Sequence, residues 1–145
     1  MIKKIHNSKD VLDILRSVRH KYFRIETLQE HEERARDRAE RGCGYSISAG
    51  HGDGMGDGTA VLADLDNAMR ETVQEYKEVK SKAEELIQYI ADRRTRLIIY
   101  DRYCQMCSWP DIVRRYDMTR YEILHIEHIA AREIYRKVYK NENNS

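Results

Sequence analysis

Two cysteines and two histidines near the C-terminal end are of the residue types that can hold a metal ion. Cys104 and Cys107 form a C-x-x-C pair, and His125 and His128 form an H-x-x-H pair. Thiolate and imidazole are the ligands that zinc prefers, and such pairs are the ligand units of zinc fingers. Seventeen residues separate Cys107 from His125, whereas a finger has about 12 there and a wider histidine pair. We therefore expect buried or half-buried thiols, with no metal and no cofactor.

The other candidates for site chemistry are weaker still. All seven glycines lie between residues 42 and 58, together with His51, Asp53 and Asp57. This segment lacks the Gly-Lys-Ser/Thr ending of a phosphate-binding loop and follows no predicted strand. Neither a Ser-His-Asp nor a Cys-His arrangement has a supporting context. We expect that the chain is not an enzyme.

Two successive helix starts in residues 108–136 favour a binding function. Residues 108–111 (SWPD) and 119–122 (TRYE) each place a hydroxyl three positions before an acid, as in a capping box. Between them is room for a helix of about two turns and a tight turn at 116–118 (YDM). This pattern is typical of a helix-turn-helix, whose second helix enters the DNA major groove.

The apolar spacing divides these helices into an inner and an outer side. Ile112, Val113 and Trp109 are predicted to face inward from the first helix, and Ile123, Ile126, Ala130 and Ile134 from the second. We expect phosphate contacts from Arg114, Arg115 and Thr119, and base contacts from Arg120, Tyr121 and Leu124 or His125. His128 lies on the same open side. The alternative is that these residues form a solvated face of a three-helix bundle.

Composition and charge agree with a helical DNA-binding protein. The chain has 145 residues, a single proline and a net charge of +1. Residues 94–140 hold ten basic and six acidic residues, a local charge of +4, as phosphate binding would require. The longest strongly apolar run, 97–100, is far too short to span a membrane. We therefore expect an all-α protein in a reducing cytosol, without membrane contact.

Long helices must carry this module. We predict an N-terminal helix within 1–41, a flexible glycine-rich linker at 42–58, a heptad helix at 59–93, the helix-turn-helix domain at 94–140 and a tail at 141–145. A helix break is expected at 92–96. The heptad helix has a 3.5-residue apolar repeat typical of a coiled coil: Leu65, Met69, Thr72, Tyr76, Val79, Ala83, Leu86 and Ile90. It should pair with the first helix in a hairpin or between subunits, and we expect homo-oligomers.

A family resemblance adds to these residues. Arg102-Tyr103, then Ser108-Trp109-x-Asp111-Ile112, Thr119, Ile123 and Ala130 resemble domain four of bacterial sigma factors. The chain also resembles the RinA/ArpU-like activators of phage late genes. Both match in the C-terminal module, and the layout of the long helices resembles that of the phage group. Val113, Asp117 and Pro110 depart from the pattern without breaking it.

The resemblance implies a sequence-specific regulator that activates phage or prophage late genes, in contact with double-stranded DNA and with host RNA polymerase. A small DNA-packaging subunit of the terminase type is one alternative, because such subunits also join a helix-turn-helix to an oligomerising helical part. A protein-binding adaptor without DNA contact is the other.

Overall fold

A computed structural model describes the backbone of residues 2–41 and 53–144, and the side chains of 2–41 and 60–143. The regular elements in these ranges are five helices: α1 (Ser8–Arg41), α2 (Asp53–Ile87), α3 (Arg93–Tyr103), α4 (Trp109–Tyr116) and α5 (Arg120–Asn144). The predicted all-α class is confirmed. None of these described helices is both long and apolar enough to cross a membrane.

The side chain of Asn7 caps the start of helix α1. The Asn7 side-chain oxygen accepts a hydrogen bond of 2.9 Å from the backbone N–H of Asp10. The Asp10 carboxylate in turn accepts one of 2.8 Å from the backbone N–H of His6. The bond to Asn7 satisfies an N–H group that the first helical turn would leave without a partner.

Helix α2 differs from the predicted heptad helix at both ends. It begins at Asp53, so residues 53–58 of the predicted linker are helical, while 42–52 lie outside the described residues. Extending an existing helix adds one hydrogen bond per residue without the cost of nucleation, and this opposes the low helix propensity of glycine. The helix ends at Ile87, before the break predicted at 92–96.

The actual break covers residues 88–92. The Asp92 carboxylate accepts a hydrogen bond of 2.9 Å from the backbone N–H of Thr95 and thereby caps α3. The charged residues 93–96, which lack apolar side chains, are therefore the first turn of α3 rather than a hinge. Arg96 reaches back and donates a hydrogen bond of 2.9 Å to the carbonyl oxygen of Ile90.

The chain divides into two compact units that differ from the predicted domains. The first contains residues 1–20 and 76–145, and the second contains 21–75. In the first unit, the starting part of α1 and the final part of α2 share one core with α3 and α5. Its buried members include Val11, Leu15, Val18, Ala83, Leu86, Ile90, Ile99, Tyr103, Ala130 and Ile134.

In the second unit, α1 and α2 also contact one another. Lys21 forms an ion pair with Glu75, and an open groove of about 340 Å³ is lined by His31 and Arg38 of α1 with Val61 of α2. Because α1 residues of increasing number meet α2 residues of decreasing number, the helices are antiparallel here. The structure describes this pairing of α1 with α2 for a single chain, and pairing between subunits stays a prediction.

The C-terminal residues continue α5. We predicted a tail at 141–145, but α5 extends to Asn144. Lys137 of this helix donates a hydrogen bond of 2.8 Å to the carbonyl oxygen of Tyr89, and Asn141 donates one of 3.3 Å to the Tyr89 hydroxyl. These bonds hold the end of α5 against the turn after α2, where a free tail would make none.

Candidate nucleic-acid interface

Helix α4 begins at the first predicted capping box. The Ser108 hydroxyl accepts a hydrogen bond of 3.3 Å from the backbone N–H of Asp111. Pro110 lies in the first turn, where its missing N–H removes no helical bond. The Asp111 carboxylate interacts with Ser108 and Arg114, and these hydrogen bonds lower its pKa. The helix that results has eight residues, the two turns that the sequence predicted.

The turn between α4 and α5 depends on Asp117. This residue has φ 52° and ψ 52°, in the left-handed region, and its N–H bonds the carbonyl oxygen of Val113. Asp tolerates this conformation better than most residues other than glycine. The Thr119 hydroxyl then accepts a hydrogen bond of 3.1 Å from the backbone N–H of Glu122 and caps α5.

A small core fixes α4 and α5 against α3. Ile98, Ile112 and Ile123 contribute one fully buried side chain from each helix. Trp109, Val113 and Ile126 pack around them, in the inward positions that the sequence predicted. In α3 the buried residues are Ile98, Ile99 and Tyr103, whereas Leu97 is 44% exposed. Their spacing places Leu97 on the outer side of α3.

The predicted base-reading residues lie on the outer side of α5. Arg120, Tyr121, His125 and His128 are exposed, with Tyr121 at 81%. Leu124 is half-buried, so only part of its side chain is accessible to a thymine methyl group. All five lie in the first three turns of one helix, which is the part that reads base edges in helix-turn-helix proteins.

The predicted phosphate contacts are exposed but already have partners. The Arg114 guanidinium lies 2.8 Å from the Asp111 carboxylate, and the Arg115 guanidinium lies 2.9 Å from that of Asp101. The Arg114–Asp111 pair is exposed on both sides, and such pairs are weak, so a phosphate can replace this carboxylate. Thr119 is exposed. Its hydroxyl accepts the capping bond and can still donate its own proton to a phosphate.

Asp101 was not singled out from the sequence, yet it orients two side chains of α4. It accepts hydrogen bonds from Arg115 and from the Tyr116 hydroxyl. The bond to Asp101 raises the pKa of Arg115, and burial together with the same carboxylate raises the pKa of Tyr116 to about 12. The partners lie 14 and 15 positions apart, and sequence spacing within one helix cannot reveal such contacts.

Two arginines hold the loop before α4 through contacts that the sequence did not predict. The Arg19 guanidinium donates hydrogen bonds of 2.7 Å to the carbonyl oxygen of Arg102 and 3.2 Å to that of Cys107. Arg102 donates one of 3.1 Å to the same Cys107 oxygen. In this loop Met106 has φ 57°, an uncommon conformation for a residue with a long side chain. Arg19 lies more than 80 positions from this loop, and only the folded chain brings them together.

The cysteine and histidine pairs lie in different environments. Cys104 belongs to the core of the first unit, where burial raises the pKa of its thiol to about 11. Cys107 is half-buried beside Ile98 and Ile112, with the Arg115 guanidinium 3.7 Å from its sulfur. His125 and His128 are exposed on α5. In the described part of the chain, no three His, Cys, Asp or Glu residues come together as metal ligands.

No family model matches this sequence, and neither a curated protein nor a solved structure matches it. The arguments for its function therefore come from the residues and from their geometry.

Proposed function

We propose that the chain is a sequence-specific regulator of transcription that binds double-stranded DNA with the first turns of α5. One observation carries this proposal. Arg120, Tyr121 and His125 project from the capped start of a helix whose opposite side is locked to α3 and α4 by Ile123. A side-chain array on a rigid and exposed helix start fits the major groove in size and in position.

The chemistry of each side chain suggests its role. Arg120 can donate two hydrogen bonds to the O6 and N7 atoms of guanine, and Leu124 can contact a thymine methyl group. Tyr121 and His125 carry groups that can bond base edges or phosphates. Arg114, Arg115 and Thr119 would bind phosphates and set the orientation of α5 in the groove.

The charge of the region supports this binding mode. Residues 94–140 carry a net charge of +4, and the Arg114, Arg115 and Arg120 side chains are exposed around α4 and the start of α5. Phosphate neutralisation by such residues releases bound cations from DNA and supplies the affinity that sequence-specific contacts then refine.

The biological role follows from the resemblance to sigma domain four and to RinA/ArpU-like activators. We propose an activator of phage or prophage late genes that acts with host RNA polymerase in the bacterial cytoplasm. The long helices α1 and α2 would also mediate homo-oligomerisation. A dimer would then bind two half-sites separated by about one helical turn of DNA or by a multiple of it.

Selection from a random pool of DNA duplexes tests the central proposal. The purified chain should enrich a defined sequence and should shift that duplex in a gel at about 50 mM salt, where electrostatic affinity is strong. Arg120→Ala should weaken this specific binding by about 1–3 kcal/mol. Arg132→Ala, which removes another exposed arginine further along α5, is the matched control. Absence of DNA binding at this low salt would contradict the proposal and favour an adaptor.

Light scattering of the purified protein tests the biological role. A dimer or a tetramer agrees with an activator. A ring of eight or more subunits would contradict the activator role and favour a DNA-packaging subunit, even if the protein binds DNA.

A further inference from the structure

The ring of Trp109 lies beside two guanidinium groups. The Cζ atom of Arg102 is 4.0 Å from the ring centroid, and that of Arg120 is 5.4 Å from it. Both distances fall within the range of about 6 Å in which an indole ring attracts a cation. Trp109 is the first residue of α4 and Arg120 the first of α5. The ring therefore connects the starts of the two helices.

The backbone of the preceding loop fixes the position of Trp109. Arg102 and Arg19 both donate hydrogen bonds to the carbonyl oxygen of Cys107, at 3.1 and 3.2 Å. Cys107 is two residues before Trp109, so these bonds determine where α4 begins. Arg102 also contacts the indole ring directly. The ring is thus held by α3 and by the loop, independently of Arg120.

Arg120 is held differently from the neighbouring arginines. Arg114 and Arg115 each have a carboxylate partner, Asp111 and Asp101. Arg120 differs from them. Among the side chains of residues 2–41 and 60–143, its observed partner is the ring of Trp109 rather than a carboxylate. An aromatic ring attracts a guanidinium through its face and leaves the N–H donors in the guanidinium plane available. Arg120 is therefore oriented while its hydrogen-bond donors remain available to a base.

We infer that Trp109 is a positioning residue that directs the Arg120 guanidinium toward DNA. This inference rests on the proposed function. A contact that restricts a long side chain in the free protein reduces the conformational entropy lost when DNA binds. A cation–π contact at an exposed site corresponds to about two- to fivefold in affinity. The effect should be confined to the base that Arg120 reads.

Fluorescence of the free protein tests the contact itself, without DNA. Trp109 is the sole tryptophan of the chain, so the emission reports on this ring alone. Arg120→Ala should change the intensity and the wavelength of the emission, because a cation beside the indole is removed and solvent is admitted. The exposed Arg132 is the matched control, and Arg132→Ala should leave the emission unchanged. An unchanged emission in Arg120→Ala would overturn the inference.

A double-mutant cycle on the selected duplex tests the positioning role. Trp109→Leu should weaken specific binding about two- to fivefold and should relax the preference at one base, with binding to random DNA unchanged. Trp109→Phe keeps an aromatic face and should restore most of the affinity. In an Arg120→Ala background, Trp109→Leu should have no further effect. Thermal melting identifies variants that fail to fold. If Trp109→Leu does not fold, Trp109→Phe replaces it in the cycle, with a smaller expected effect on binding.

The failures of the two proposals are distinguishable. Equal losses from Trp109→Leu in both backgrounds, with a wild-type protein that binds its duplex, would overturn the positioning role alone. A wild-type protein that binds no duplex while Arg120→Ala still alters the emission would overturn the DNA-binding function and, with it, any role of the contact in recognition.

Discussion

Tyr103 donates a hydrogen bond of 2.8 Å to the carboxylate of Glu127, and both side chains are almost completely buried. This bond connects α3, which supports the proposed interface, to α5, which carries it. Burial raises the pKa of both groups. The Glu127 carboxylate lies one helical turn beyond Ile123, so the bond and the apolar core act on the same part of α5.

Removal of the Tyr103 hydroxyl should destabilise the protein. Tyr103→Phe keeps the buried ring and leaves Glu127 without this donor, and we expect a loss of about 1–3 kcal/mol in the free energy of unfolding. Urea denaturation measures this loss. Tyr121→Phe removes the same hydroxyl from a ring that is highly exposed and should change stability little. Equal effects of the two variants would show that the buried bond contributes nothing.

Glu127 should make stability depend on pH. Burial raises the pKa of this carboxyl in the folded protein above its ordinary value of 4.5. Its contribution is therefore fully present below pH 4.5 and is lost as the pH rises through the folded pKa. In the Glu127→Gln variant the side chain cannot ionise. As the pH rises through the folded pKa of Glu127, the unfolding free energy of this variant should therefore increase relative to that of the wild type. Glu122→Gln, an exposed change on α5, is the control. A difference that stays constant with pH would contradict this prediction.

Two isoleucines of α5 should differ strongly in their contribution to stability. Ile123 is fully buried against Ile98 and Ile112, whereas Ile129 is 51% exposed. Ile123→Ala should cost about 2–5 kcal/mol because it removes buried methyl groups and leaves a cavity. Ile129→Ala should change stability by only about 0.5 kcal/mol. Thermal and chemical denaturation of the pair compares the same substitution at the two sites, and a small loss in Ile123→Ala would argue against the three-helix core.

Two substitutions of Asp117, the left-handed residue between α4 and α5, test whether the turn requires a positive φ. Asp117→Gly should be close to neutral, because glycine adopts a positive φ readily and aspartate already tolerates it. Asp117→Val should cost at least about 1–2 kcal/mol, since a β-branched residue is strained at this φ. Melting temperatures give the comparison. A Val variant as stable as the wild type would mean that the turn does not require this conformation in solution.

The α4 arginines should act on DNA through its charge. Arg115→Ala should weaken binding to all duplexes similarly. It should also make the negative slope of log affinity against log salt shallower by about 1. Arg36→Ala also removes an arginine from an ion pair, with Glu32, and Arg36 is not among the predicted DNA contacts, so this variant should leave the slope unchanged. A loss confined to the selected sequence would instead identify Arg115 as a base contact.

Short-range features were predictable from the sequence because they depend on neighbouring residues. The caps at Ser108 and Thr119, and the burial of Ile112 and Ile123, are local consequences of residue type and helical spacing. The bounds of α2 were not predictable. The heptad pattern continues to Ile90, but the helix ends at Ile87, because Asp92 caps a new helix.

Contacts between distant parts of the chain were also missed. Arg19 reaches the loop before α4, Glu127 lies buried beside Tyr103, and Asp101 binds two side chains of α4. A charged residue inside an amphipathic helix is usually solvated, so nothing in its local sequence marks it as a buried partner. The chain fold alone determines which carbonyl or hydroxyl it meets.

Because α1 and α5 share one core, the proposed DNA-binding helices do not form an independently folding domain. Val11, Leu15 and Val18 of α1 belong to the same buried cluster as Ala130 and Ile134. A fragment that began at α3 would expose this cluster to water. Transfer of the binding specificity to another protein would therefore require residues 1–20 as well as 76–145, two pieces of chain inherited together. Recombination at the start of α3 would separate α5 from the α1 residues that cover its buried side.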